Sequence, residues 1–170
     1  MAVLNLIELA KGLADVTFPA LAAAEIAELE IKGLASDSRR VAPGFLFAAL
    51  PGAKIDAKTD GRAFVPDALA RGAIAVLGSP GFDLPAGSRA ARLADANPRR
   101  AYALMAARFF ARQPATVVAV TGTNGKTSTV HFLRQIWTAL GHRAAGIGTL
   151  GLIGADGART PSGGLTTPDP

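Results

Sequence analysis

Apolar and polar positions along this chain follow two periods, one that predicts helices and one that predicts buried strands. From Leu4 to Ala14 (LNLIELAKGLA), Leu4, Ile7 and Leu9 fall near one helical face and predict a short helix, weakened by Gly12. The run FLFAAL, Phe45 to Leu50, lies between the turn pairs Pro43-Gly44 and Pro51-Gly52 and predicts a buried strand. Gly61 to Arg71 carries Phe64, Ala68 and Leu69 at helical spacing, with Gly72 where a helix would end. Ala73 to Leu77 (AIAVL) is then another apolar strand. Strand, helix and strand in that order make a crossover unit, and unbroken apolar strands call for a sheet covered on both faces.

Gly78 to Gly87 (GSPGFDLPAG) concentrates Gly and Pro and marks a loop or a domain boundary. We place a boundary between this stretch and Asn97, which divides the chain into residues 1–90 and 91–170. Beyond it, Asn97 can cap a helix that begins at Pro98 and turns Tyr102, Met105, Phe109 and Phe110 inward, ended by Gln113-Pro114. Thr116 to Val120 (TVVAV) predicts a strand. Lys126 to Leu140 predicts a helix with Val130, Leu133, Trp137 and Leu140 inward, stopped by Gly141, and a last strand (AAGIG) starts at Ala144. The predicted fold class is α/β in both parts, with no solenoid repeat and no low-complexity tract.

Composition narrows this picture. At 170 residues, 49% apolar and 18% charged, the chain has the makeup of a packed globular protein. Its net charge of +5 comes from scattered Arg, paired only at Arg39-Arg40 and Arg99-Arg100. Without a basic block, and with one Trp and one Tyr on which bases could stack, nucleic acid is not an expected partner. The charge suits small anionic substrates. The absence of Cys excludes disulfides, thiolate metal sites and cysteine nucleophiles. No signal-like start and no apolar run of about 20 residues is present, so we expect no membrane association and a cytoplasmic location.

The strongest chemical signal is VVAVTGTNGKTSTVHFL, Val117 to Leu133. Phosphate binding needs a strand that leads into a tight turn, small residues that let backbone N–H groups approach the oxygens, and a helix N-terminus facing the anion. Gly122, Thr123, Asn124, Gly125, Lys126, Thr127 and Ser128 supply that pattern. Lys126 can reach terminal phosphates and the Thr127 hydroxyl can coordinate magnesium on them. The common pattern G-x-x-x-x-G-K-[ST] is not met in full, because its first glycine would fall at Val120 and the extra glycine here is Gly122. A plain glycine turn between strand and helix is the alternative, yet it has no need of Gly-Lys-Thr at the helix start.

The variant Thr121-Gly122-Thr123-Asn124-Gly125-Lys126-Thr127 resembles the ATP loop of the Mur ligase and folylpolyglutamate synthetase superfamily. SDSRRVAPGFLFAALPG (Ser36 to Gly52), followed by Asp60-Gly61-Arg62-Ala63-Phe64 and Gly72-Ala73, resembles the amino-terminal domain of the ligases that extend the peptidoglycan precursor peptide. Gly148-Thr149-Leu150-Gly151 and Leu165-Thr166-Thr167-Pro168-Asp169-Pro170 are similar to the ligases adding its third residue.

The resemblance implies a small amino-terminal α/β domain that binds a UDP-linked substrate, followed by the first part of a P-loop α/β domain. It implies ATP and Mg2+ as cofactors, and UDP-N-acetylmuramoyl-L-alanyl-D-glutamate and an amino acid as substrates; the resemblance does not say which amino acid, and the Ala- and Arg-rich, Lys-poor composition favours meso-diaminopimelate over lysine. Ser36 and Ser38 occupy nucleotide-contact positions, Thr166 and Thr167 match the pair that holds the muramoyl peptide, and Lys126 and Thr127 serve catalysis, Thr127 as the metal ligand. The implied reaction runs through an acyl phosphate on the D-glutamyl carboxylate, which the incoming amine then displaces.

Local readings of the same residues stand beside these. Ser36 and Ser38 can be turn residues, Asp37 and Arg39 a solvated ion pair, and Thr166-Thr167 an extended tail. His131 reads as packed or surface-exposed and His142 as a helix-end residue. Ligases of the family continue well past position 170, so we expect this chain to be a truncated piece that is inactive alone. It should carry the UDP site, half of the ATP site and an unpaired apolar edge prone to self-association. A stand-alone module that binds a nucleotide or UDP-muramoyl peptide without catalysis is the second hypothesis, and an unrelated P-loop ATPase the third.

Overall fold

The computed structural model describes residues 4–13, 15–17, 25, 28–52 and 60–161. They fall into two compact units, divided between Gln113 and Pro114.

The first unit is built on a five-stranded sheet of order β2-β7-β6-β5-β4. Its strands are β2 (Asp15–Thr17), β4 (Gly33–Ala35), β5 (Phe45–Ala48), β6 (Ala73–Gly78) and β7 (Ala91–Ala94). Strands β4 to β7 are mutually parallel, while β2 closes the edge antiparallel to β7. A separate two-stranded ribbon pairs β1 (Leu4–Asn5) with β3 (Glu30–Ile31).

The period of two along β5 sorts its side chains between two cores. Leu46 and Ala48 pack with Leu6, Leu9, Tyr102, Met105 and Phe109 on one face. Phe45 and Phe47 pack with Val65, Ala68 and Phe82 on the other. The sheet is therefore covered on both faces, as its apolar strands predict. A register shift opposite Phe45 and Leu46 lets Ile74 and Ala75, adjacent in sequence, serve the same core.

Helix α1 (Leu6–Ala10) and helix α3 (Pro98–Phe110) supply the first face, and α2 (Val65–Ala70) the second. The helix expected from Leu4 is shorter at its start, because Leu4 and Asn5 pair with β3 and the Asn5 side chain accepts from Ile7 N to cap α1. Arg108 on α3 donates to the carbonyls of Leu9 and Lys11, satisfying the exposed end of α1. Asn97 accepts from Arg100 N and Pro98 stands in the first turn of α3, as expected. That helix ends earlier than Gln113-Pro114 would require, at Ala111 in the left-handed region (φ 53°), and Phe110 is 63% exposed rather than inward. Phe64 is likewise exposed, and Val65 takes the inward place next to Ala68.

The boundary expected between residues 90 and 91 falls inside this unit. Phe82, in the Gly- and Pro-rich loop, is buried in the second core, and Arg92 donates to its carbonyl at 2.6 Å while lying 4.9 Å from its ring centroid. With the loop anchored in this way, β7 joins the sheet and α3 packs on it, so the unit runs on to Gln113.

The second unit holds α4 (Lys126–Ala139) and an antiparallel sheet of order β10-β9-β8, made of β8 (Gly146–Gly148), β9 (Gly151–Ile153) and β10 (Arg159–Thr160). Helix α4 ends in a Schellman motif, with His142 N donating to Trp137 O at 2.9 Å and Gly141 N to Thr138 O at 3.0 Å. Two expectations fail here. Thr116 to Val120 is not a strand, because no described strand pairs with it, and Val117 is 76% exposed. No residue of α4 is buried: Val130, Leu133 and Trp137 are half-buried and Leu140 is exposed. The last strand starts at Gly146 rather than Ala144.

Candidate functional site

In the second unit, the residues from Thr121 to Gly125 form a bend that feeds directly into α4. Gly122 (φ 144°) and Gly125 (φ 78°) both lie where L side chains are strained, so the bend requires glycine at these two places. No side chain caps α4; Gly125 occupies the N-cap position, and its carbonyl accepts from Thr129 N at 2.8 Å. Residues 121–129 are all exposed, so the helix N-terminus opens to solvent. Its N–H groups and the positive end of the helix dipole are therefore available to an anion.

Lys126 folds back over the bend. Its ammonium donates to the carbonyls of Gly122 and Thr123. The positive charge thus sits above the glycine bend next to the helix end. Thr127 Oγ1 lies 3.0 Å from Thr149 Oγ1, in the turn between β8 and β9.

A triphosphate with a hard divalent ion fits this donor set. Backbone amides and an ammonium suit phosphate oxygens, and a hydroxyl suits magnesium, which keeps waters and takes one or two protein ligands. Among the described residues no group of three or more His, Asp or Glu could hold a metal by itself, so such an ion would depend on phosphate oxygens. His131 is half-buried on α4, its Nε2 accepting from Gln135 Nε2 at 2.8 Å within the helix.

The first unit carries a second candidate surface, along the carboxyl ends of its parallel strands, where ligands of open α/β sheets bind. The chain leaving β4 enters a short 3-10 turn, Ser38–Arg40, capped by Asp37, whose carboxylate accepts from Arg39 N at 3.0 Å. The same carboxylate takes the Arg39 guanidinium at 2.7 Å. The device recurs after β5. Asp60 caps the turn Gly61–Phe64, accepts from Arg62 N and pairs with the Arg62 guanidinium. Gly61 sits so close to the chain after β5 that an added Cβ would lie 2.6 Å from Leu50 N. Arg99, at the start of α3, donates to Pro51 O at 2.8 Å and ties the root of the following loop to that helix.

Ser36 is half-buried, whereas Ser38 is buried with 5% exposure. The Ser38 hydroxyl bonds the Asp67 carboxylate, and Arg71 pairs with that carboxylate at 3.0 Å one helical turn away. The Ser38 hydrogen bond, followed by Arg71, holds the Asp67 carboxyl below its ordinary range, against the nearby charge of Asp37. The guanidinium of Arg39 does the same for Asp37 and that of Arg62 for Asp60. All three carboxylates are thus ionised and matched by arginine.

Ser38 begins the Asp37-capped turn and Ser36 lies just before it, and Lys126, Thr127 and Ser128 share the first turn of α4. Thr166 and Thr167 lie outside the described residues. Sequence reasoning singled out Gly148 to Gly151 but missed the contact of Thr149 with Thr127, and it missed the Asp67–Arg71 pair. The latter had a local signal in its i,i+4 charge spacing; the former joins residues 22 apart and no local spacing encodes it.

The class these features define is an α/β protein with a glycine bend and Gly-Lys-Thr at the start of a helix. Residues 30–110 match the model described as "Mur ligase family, catalytic domain", and residues 120–170 match "Mur ligase middle domain". The chain belongs to the Mur ligase family. A UDP-N-acetylmuramoyl-L-alanyl-D-glutamate–2,6-diaminopimelate ligase of Bradyrhizobium diazoefficiens is 54% identical over 145 residues, 85% of this chain and 28% of that protein. The ligase of the same name from Rhizobium meliloti is 49% identical over 161 residues, 93% of this chain and 32% of that one. A solved structure of a ligase with this name superposes with a TM-score of 0.63 at 26% identity, covering 89% of this chain and 28% of that one. This chain therefore spans about a third or less of the length of the relatives it matches.

Proposed function

We propose that this chain carries the nucleotide-substrate surface and the ATP-phosphate loop of a ligase that adds meso-diaminopimelate to UDP-N-acetylmuramoyl-L-alanyl-D-glutamate. The observation that carries the reading is the uncapped, solvent-open start of α4, with glycines of positive φ at 122 and 125 and the Lys126 ammonium folded over them. Identity of about half to relatives that bear this activity in their names supports it.

In this reading the amides from Gly122 to Ser128 cradle the ATP phosphates. Lys126 neutralises the charge that develops as the γ-phosphoryl group passes to the D-glutamyl carboxylate, and Thr127 offers a hydroxyl to magnesium. The ion, when bound, supplies charge neutralisation on the phosphates. Catalysis of this type rests on positioning and electrostatics and needs no protein nucleophile, in keeping with a chain that has no Cys. Residues 1–90, extended to Gln113 by the fold, make the UDP-substrate domain, with the Ser36–Ser38 turn as its nucleotide contact. Residues 114–170 begin the ATP domain, with Thr166 and Thr167 against the muramoyl peptide. The setting is cytoplasmic, where ATP is supplied; no described helix is long and apolar enough to cross a membrane.

Calorimetric titration of the 170 residues tests this. UDP-muramoyl dipeptide and ATP should each bind, without turnover when diaminopimelate is added. Lys126→Ala should abolish ATP binding and leave the dipeptide bound. Binding of the dipeptide with no ATP binding by the wild-type chain would favour the non-catalytic module, and binding of neither would overturn both readings.

A further inference from the structure

Thr149 belongs to no element of the phosphate loop. It opens the two-residue turn between β8 and β9, where Gly148 and Gly151 are register partners, and that hairpin brings its hydroxyl to the first turn of α4. Both hydroxyls, 3.0 Å apart, are on exposed residues, so the contact is not forced by burial in a core.

A threonine hydroxyl has one proton and two lone pairs. When the oxygen gives a lone pair to a cation, its proton points away and needs an acceptor. A helical threonine often uses the carbonyl four residues back. For Thr127 that carbonyl belongs to Thr123, but the hydroxyl's contact is instead with Thr149 Oγ1 at 3.0 Å, a pair in which either oxygen can be the donor. Once the Thr127 oxygen faces a cation, its proton has Thr149 Oγ1 as the acceptor in contact.

We propose that Thr149 is a positioning residue: its Oγ1 accepts the Thr127 proton and thereby aims a Thr127 lone pair at a phosphate-bound divalent cation. The inference rests on reading the loop as a site for magnesium and ATP. Groups that orient a metal ligand are worth about 10- to 100-fold in metal affinity, and Thr149 should act at the lower end because it is solvent-exposed.

The test is ATP affinity of the 170-residue chain measured in excess Mg2+ and again in EDTA. Thr149→Val, which keeps the shape and loses the acceptor, should cut the gain due to Mg2+ by about 10-fold and leave affinity in EDTA unchanged, while Thr149→Ser should restore the gain. Thr149→Ala serves as a second variant with the same expected loss, and circular dichroism confirms that each variant is folded. An unchanged Mg2+ gain in both variants, or equal losses with and without Mg2+, would overturn the inference. So would a wild-type chain that binds ATP equally in Mg2+ and EDTA, leaving the phosphate-loop reading intact. A wild-type chain that fails to bind ATP at all would overturn both.

Discussion

The two units put similar apolar runs to different uses. In the first, FLFAAL and AIAVL become parallel neighbours, with Leu46, Phe47, Val76 and Leu77 at 1% exposure or less. In the second, Val117 and Val118 lie 76% and 52% exposed, and α4 presents Phe132, Ile136 and Leu140 to solvent at i, i+4 and i+8. A strand exists only where a neighbour takes its hydrogen bonds, and a helix buries a stripe only where something packs on it. Apolar pattern is thus a necessary condition for both, and partner elements supply the rest.

The comparison is broken most directly by cutting the same side chain in each unit. Leu77→Ala should cost the first unit about 2 to 5 kcal/mol in urea unfolding, because it deletes fully buried methyl groups. Leu140→Ala, on a residue 67% exposed, should change the second unit by less than about 0.5 kcal/mol. Equal costs would mean that Leu140 is covered in solution.

A smaller effect, about 1 kcal/mol, should follow Gly125→Ala, which puts a Cβ at φ 78°. Since nothing stands within 4 Å of that Cβ, the cost is backbone strain alone, and loss of ATP affinity should exceed the loss of thermal stability. A variant that binds ATP normally would show that the bend need not be held in this shape.

The first unit should also show an acid limb. Asp37, Asp60 and Asp67 have folded pKa values below the ordinary one, mainly through Arg39, Arg62 and Ser38 respectively. Their contribution is complete above the unfolded value of about 3.9 and is lost as pH falls below it, toward the depressed folded values. Asp60→Asn should flatten the fall in urea midpoint below pH 4, and an unchanged slope would contradict the assignment.

The weakest effect concerns association. The exposed apolar face of α4 should make the 170-residue chain self-associate at high concentration. Phe132→Glu with Ile136→Lys should move it toward monomer in light scattering. A wild-type chain already monomeric and monodisperse would remove the premise.

Much of the candidate site was legible in order along the chain. Gly122, Gly125, Lys126 and Thr127 are local features, since positive φ and a helix start are decided within a few residues. So were the Asn97 cap, the Gly141 stop and the Asp37–Arg39 pair. The boundary at 90/91 was misplaced because Gly and Pro mark turns whether or not a domain ends, and burial of Phe82 beneath Arg92 decides which.

The amino-acid order by itself determined the elements with short-range causes: the crossover from β5 through α2 to β6, the capped helices and the glycine bend before α4. Tertiary structure alone decided what each apolar face meets. It placed β7 and α3 in the first unit, denied Thr116 to Val120 a partner strand among the described residues, committed the Ser38 hydroxyl to Asp67 and brought Thr149 to Thr127. Those outcomes depend on contacts between residues far apart in sequence, and no local period encodes which distant surface will supply the missing hydrogen bond or covering side chain.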